Sequence, residues 1–315
     1  MTQDRFRLWP AELFVLKLSA GLIALDVFLI LLRSVSVDTQ RYSLTFGMAA
    51  IILAVGFAYR RSGRSERIAS TAITCGLLIV FSSALSALNN LLLPNWRPGI
   101  DPWLTKIDSL LGYHWPDALA LSARYPTIND LMWVSYSSTS FQIALVAVAL
   151  GLTGRLATLH VMMLALAISS VMAVVFWALF PSLGPSTLHA LPAELLAVVK
   201  PVVDPAYGAE IAALMRHGTN TLSPDEFRGL IAFPSFHTIM AVLATYYARN
   251  IRWLLPPLLM LNLLIFPAVL VHGGHHLVDI PAGLAVFALA AFIGQKMVGE
   301  AEPECPISAD STELA

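Results

Sequence analysis

The chain is built from long apolar runs separated by short polar breaks. A bilayer's hydrocarbon core is about 30 Å thick and offers the backbone no hydrogen-bond partners, so a helix needs about 20 apolar residues to cross it. Runs of that kind at 13–32, 42–59, 68–93, 129–152, 156–180, 235–249, 252–271 and 276–297 predict about eight transmembrane helices. Charged residues make up only 12% of the chain, against roughly 25% in soluble domains, and hydrophobic ones 57%. The expected fold class is an all-α integral membrane protein, the last six spans forming one bundle and the first two an accessory pair. A net charge of −1 gives no basic field, so no nucleic-acid partner is expected. Cys75 lies in an apolar run and Cys305 in the tail, which argues against a structural disulfide. The run from Leu13 to Leu32 is long for a signal peptide and no clear cleavage site follows it, so it reads as a retained helix.

Lys and Arg in short loops set the expected orientation. The stretch "RRSGRSER" carries Arg60, Arg61, Arg64 and Arg67, and Arg5, Arg7, Lys17, Arg155, Arg249, Arg252 and Lys296 fall on the same side if both termini are cytoplasmic. The two long non-spanning stretches, 94–128 and 181–234, then face outward.

Two polar clusters interrupt this pattern, and titratable groups at a membrane boundary are costly unless they do something. One is "HGGHHLVD", in which His275 and Asp279 are four residues apart and share a face if the segment is helical. A carboxylate beside a histidine fixes its tautomer and stabilises its cation, leaving the other ring nitrogen as nucleophile or base. The other is "FPSFHT", where Pro234 and Ser235 suit a helix start and His237 sits in its first turn. The free N–H groups of such an end attract anions, phosphate above all. Orientation puts both clusters on the external face. Histidine nucleophile, orienting Asp, partner His and phosphate cradle together point to phosphoryl transfer through a covalent intermediate.

At these residues the chain resembles the type 2 phosphatidic acid phosphatase superfamily. Its Pro-Ser-x-His motif matches Pro234, Ser235 and His237, and its His-x-x-x-Asp motif matches His275 and Asp279. The resemblance covers roughly 94–297. It implies that His275 attacks phosphorus, Asp279 orients it, His237 protonates the leaving oxygen and Ser235 helps hold the phosphate. The family's first motif is Lys, six residues, then Arg-Pro; here Arg97-Pro98 is present but Asn90 stands in place of the Lys. The Arg usual six residues before the motif His is replaced by Val269. The wording "FPSFHT" and "HGGHHLVD" is closer to the branch of inositol phosphorylceramide synthases. Arg97, Arg216 and Arg228 are the candidates to supply the missing phosphate-binding charge, with Lys106, Arg124 and Lys200 the other external cations.

The expected organisation is accessory transmembrane helices over 1–67, the phosphatase-like catalytic domain over 68–299 and a disordered cytoplasmic tail over 300–315. The expected function is a lipid phosphatase or phosphotransferase in a cell membrane, of the bacterial inner-membrane kind, with its site on the external, periplasmic face. Its partners would be a lipid phosphoester and an alcohol acceptor, with no metal or organic cofactor. A transporter, suggested by Asp26 within the first span and the broken "WLLPPLL", is the competing class. A zinc hydrolase drawing on His272, His275 and Asp279 is the third, but it leaves the Pro-Ser-x-His element without a role. His272 and His276 read as packing residues, His114, His160, His189 and His217 as ordinary loop or helix histidines, and Asp26 as a partner in a helix–helix hydrogen bond.

Overall fold

The computed structural model describes residues 7–225 and 229–301, and within these the chain is almost wholly helical. Three long helices come first, α1 (Pro10–Arg33), α2 (Thr39–Ser62) and α3 (Glu66–Leu91). Short α4 (Asp101–Leu110) and α5 (Trp115–Ala123) lead to α6 (Pro126–Ser137), α7 (Thr139–Leu152) and the long α8 (Leu156–Leu179). After α9 (Ala193–Val199) and α10 (Pro205–His217) come α11 (Phe236–Ala248), α12 (Leu255–Leu263), α13 (Ile265–Val271) and α14 (Asp279–Ala301). Strands β1 (Ser36–Val37) and β2 (Thr221–Leu222) pair in parallel, Ser36 with Thr221, and tie the α1–α2 turn to the segment after α10.

Helix ends follow local chemistry. Asp38 caps α2 by accepting the Arg41 N–H, and Gly63 ends it at φ 66°, a left-handed position that suits glycine. Ser65 caps α3, and Ser235 caps α11 through the Thr238 N–H.

Five helices, α1, α2, α3, α8 and α14 up to Gly299, are long and apolar enough to cross a membrane, and α6 with α7 makes a sixth if the pair, bent by 56°, counts as one span. The other two expected spans are shorter than their apolar runs suggest. Helix α11 has 13 residues, about 20 Å at 1.5 Å per residue, and the 252–271 run is divided into α12 and α13 of 9 and 7 residues. The breaks have chemical causes. At the α6–α7 bend Ser138 Oγ donates to the Ser135 carbonyl at 3.3 Å and Thr139 Oγ1 to that of Tyr136 at 3.2 Å, competing with the helical ladder. Pro256 and Pro257 start α12, and Pro267, the third residue of α13, has no N–H to bond back to Leu263 and carry α12 on as one helix.

Helix α8 is central. Its Leu159, Met162 and Ala165 pack with Ile239, Leu243 and Ala244 of α11 and Phe287 and Ala291 of α14. Its Met163, Leu164 and Ala167 join Val15 and Leu22 of α1 and Ile73, Leu77 and Phe81 of α3 in a second core. Small residues bring helices close, as membrane packing favours: a Cβ on Gly56 of α2 would stand 2.6 Å from the Ile73 side chain, and one on Gly76 of α3 as near to Leu53.

At the end of the bundle where α1 begins, Arg60 is buried, so it is more than a marker of membrane sidedness. Its Nη1 and Nη2 donate to Glu12 Oε2 and Oε1 at 2.6 and 2.9 Å, and Nη2 also to Glu66 Oε1 at 2.6 Å and Ser70 Oγ at 2.9 Å. Trp9 Nε1–H donates to Glu66, and His160 Nε2 lies 3.7 Å from Glu12 Oε1. Asp26, also buried on α1, makes no such contact: its Oδ1 has no hydrogen-bond partner among the described residues, so the helix–helix bond expected there is not formed by that atom.

Candidate active site

The two polar motifs meet. The chain leaves α13 at Val271, turns through 272–278 and re-enters a helix at Asp279, so His275 lies in the turn and not on the helix that its spacing suggested. The turn still closes the same contact: His275 Nδ1 is 2.9 Å from Asp279 Oδ2, which also accepts the His276 N–H at 2.9 Å. With Nδ1–H donating to the carboxylate, Nε2 carries the lone pair and faces Ser235 Oγ at 3.5 Å. That hydroxyl is fixed by Thr238, whose N–H and Oγ1 lie 3.4 and 3.0 Å away. The Ser235 N–H donates to the Asp279 carbonyl at 3.1 Å, and a Cβ on Gly283 would meet the Ser235 carbonyl oxygen at 2.7 Å. The starts of α11 and α14 therefore sit directly against each other.

His275, Asp279 and Ser235 are all buried, while His237, one turn into α11, is partly exposed. The His237 ring stacks on Tyr136 with centroids 3.9 Å apart and an 18° tilt. Tyr136 belongs to the last turn of α6, just before the bend, and its ring edge also abuts the 272–278 turn: a Cβ on Gly273 would be 2.8 Å from Tyr136 Cε2 and 2.7 Å from His275 Cδ2. Gly274, at φ 56°, carries the turn into contact with Gly184, whose own Cβ would overlap the Gly274 carbonyl. His272 packs beneath, with Nε2 3.1 Å from the Asn129 carbonyl.

An anion-ready helix start, a histidine whose free ring nitrogen faces it, and a carboxylate behind that histidine form one buried unit. Residues 102–293 match the family model described as the PAP2 superfamily. The chain belongs to the PAP2 superfamily. No curated protein and no solved structure matches it. Superfamily membership indicates a phosphatase or phosphotransferase acting on a phosphoester. The matched stretch holds both histidine motifs and leaves out α1, α2, α3 and Arg97.

The positions that depart from the superfamily's commoner pattern are buried away from solvent. Asn90 lies in the last turn of α3 with Nδ2 donating to the Ser86 carbonyl, and Val269 is fully buried in α13. Arg97 and Arg216 come together. Both line a cavity of ≈ 340 Å³ with Asn95, Trp96, Asp101 and Leu183, which His275, Asp279 and His237 do not line. Arg97 Nη1 donates to the Ala178 carbonyl at 2.9 Å, and Arg216 is exposed. Arg228 lies outside the described residues.

Two carboxylates beside this site carry no local sequence signal. Asp108 Oδ2 is 2.6 Å from His276 Nδ1, and Asp108 Oδ1 accepts the Leu277 N–H at 3.0 Å. Asp101 Oδ1 lies 3.5 Å from His276 Nε2, a charge contact rather than a hydrogen bond, and it accepts from Ser182 Oγ and from the Gly184 N–H. Burial alone would raise the Asp101 carboxyl, but His276, Ser182 and the Leu183 and Gly184 amides hold it below its ordinary value. Burial likewise opposes charge on His276, but Asp101, Asp279 and Asp108 outweigh it and keep the ring more basic than a free histidine. Among the described residues, no group of three or more His, Cys, Asp or Glu is arranged to hold a metal ion.

Proposed function

We propose that the protein is a membrane lipid phosphatase or phosphotransferase that works through a phosphohistidine on His275. The observation that carries this reading is the His275 ring, with Nδ1 on Asp279 at 2.9 Å and Nε2 turned toward Ser235 at the start of α11. The phosphoryl group of a lipid phosphoester sits at that helix start, where free N–H groups, the Ser235 hydroxyl and the helix dipole favour negative charge. The His275 Nε2 lone pair forms the N–P bond as the P–O bond to the alcohol breaks. Burial holds the pKa of the His237 ring down to about 3, so it takes up a proton with the incoming phosphate and gives it to the departing oxygen, while Asp279 stabilises the cationic His275 ring. In the second half, His237 takes a proton from water or an acceptor alcohol, whose oxygen bonds to phosphorus as the N–P bond breaks. Positioning and charge neutralisation supply most of the rate in such reactions. Arg97 and Arg216 share a cavity that the histidines and Ser235 do not line, so we assign them to the part of the lipid head beyond the reacting phosphoryl group, Arg being suited to anionic oxygens by its planar fork.

The likeness of "FPSFHT" and "HGGHH" to inositol phosphorylceramide synthases favours transfer between lipids over simple hydrolysis. The bias of Lys and Arg favours cytoplasmic termini with the site on the external face. The test is turnover of the purified chain on phosphatidate, polyprenyl diphosphate and phosphoinositide donors, with and without alcohol acceptors, alongside isolation of the phosphoenzyme. An acid-labile adduct on the parent that is lost in His275→Ala is the expected result. An adduct that survives His275→Ala overturns the assignment.

A further inference from the structure

His276 has no part in the chemistry above, yet it is fully buried and lies between two carboxylates of α4. We infer that His276, gripped by Asp108 and Asp101, is a positioning residue that sets the orientation of the nucleophile next to it and couples it to the wall of the Arg97–Arg216 cavity. This rests on the reading of His275 as nucleophile.

The geometry of the turn carries the inference. Two chain segments far apart in sequence, α4 and the histidine turn, meet at this one ring. Asp108 holds the His276 side chain and the Leu277 N–H together, and so fixes the backbone immediately after His275. The His276 N–H, thus placed, donates to the same Asp279 oxygen that takes the His275 Nδ1–H. Turning His276 would therefore move one of the two donors that aim Asp279. Asp101 Oδ1 stands 3.5 Å from the ring's other nitrogen, a charge contact, accepts from Ser182, Leu183 and Gly184, and also lines the cavity that contains Arg97 and Arg216. Gly184 in turn presses on Gly274. A shift of about 1 Å in a reacting group is enough to cost about 10²-fold in rate, so a clamp one residue from the nucleophile has large leverage.

The clamp depends on charge. The groups facing the ring are Asp101 and Asp108 from α4 and Asp279 and His275 from its own segment; His189 feels its charge, Tyr113 feels Asp108 and Asp279, and the 182–184 loop offers backbone amides and the Ser182 hydroxyl. Because the folded ring is more basic than the ordinary 6.5, its contribution is complete below that pH and is lost as pH rises through the raised value. The alkaline limb of the activity profile should therefore report His276.

The test uses the full chain in detergent, with dioleoyl phosphatidate in mixed micelles as probe and histidine ¹⁵N resonances as a readout that needs no turnover. In His276→Gln and in Asp108→Asn, kcat should fall about 10²-fold with KM within about threefold, and the double variant should be no worse than either alone. Asp108→Glu should recover part of the loss. In the parent, the His276 ring should titrate above the ordinary histidine value, and the His275 Nδ1–H resonance should shift in both variants. The inference fails if kcat of folded Asp108→Asn stays within about threefold, if the loss lies in KM alone, if the effects of the two substitutions multiply, or if the His275 resonance is unmoved. If His276→Gln does not fold, Asp108→Asn decides. A parent without turnover of any donor would sink the functional reading, and the resonances alone would then judge the clamp.

Discussion

The bundle buries two charged clusters, one at each end of α8, and they are built on opposite terms. Near the start of α8, Glu12, Arg60, Glu66 and Ser70 form a network in which each Glu12 oxygen has a fixed donor and the Arg–Glu pair is bidentate. Beyond its far end, the 182–184 loop leads to the histidine turn, where the Asp279 Oδ1 atom is buried without a hydrogen-bond partner among the described residues and His275 Nε2 has only a 3.5 Å contact to Ser235. Both clusters hold charge out of water, which is costly unless it is compensated. The first is compensated within itself save for Arg60 Nε, which has no hydrogen-bond partner among the described residues, and it ties α1, α2 and α3 together. The second is compensated on one side only, and on our reading His275 Nε2, the ring nitrogen on its open side, is the atom that would meet the phosphorus of a substrate.

Substitutions should separate the two. The largest effect is expected for His275→Ala: loss of at least about 10⁴-fold in turnover with the unfolding temperature nearly unchanged, read by activity and thermal unfolding on one preparation. If instead it unfolds the protein, the histidine cluster is a staple like the other. Asp279→Asn follows, at about 10³–10⁴-fold in kcat, because an amide favours the wrong imidazole tautomer; retention of a tenth of the activity would contradict the role assigned to it. Arg60→Ala reverses the pattern. It strands Glu12 without its main partner and should cost about 3–5 kcal/mol of stability, while the folded fraction keeps kcat within about twofold. A catalytic loss at unchanged stability would show that the two ends are coupled. His237→Ala should cost about 10²–10⁴-fold on alkyl leaving groups and much less on an aryl phosphate, whose oxygen needs no proton. The smallest effects belong to the cavity: Arg97→Ala and Arg216→Ala about tenfold each, with Lys restoring only part, since it keeps the charge and loses the fork. Values within about threefold for both would move the phosphate head elsewhere.

The same contrast explains what could be read from the amino-acid order. The continuous apolar runs that became α1, α2, α3, α8 and α14 are legible because crossing a bilayer imposes a length on one uninterrupted segment. The runs at 129–152 and 252–271 look alike in hydropathy, yet Ser138, Thr139, Pro256, Pro257 and Pro267 break them, and a sum over twenty residues hides a single hydroxyl or ring. The histidine motifs are legible because their partners are four residues apart or in the same helix turn. Asp101 and Asp108 meet His276 only after the chain has folded across some 170 positions, and "DPWLTKIDSLLG" reads simply as a short amphipathic helix. Arg60 hides among neighbouring arginines for a similar reason: what separates it from Arg61 is Glu12, on another helix. Tyr136 sits in a run of helical residues, and nothing local marks it as the platform for His237.

The bond from the Ser235 amide to the Asp279 carbonyl, with Gly283 pressed against the same residue, closes the α11–α13 excursion into a ring at its base. A ring pinned in this way has no hinge at the pin. On our reading the nucleophile and the phosphate cradle then travel as a single body, and the α6–α7 bend beside Tyr136 is the place we expect to give way to a substrate. It follows that heat should not erode activity ahead of structure: the base of the ring opens once, and function and fold are lost in the same event.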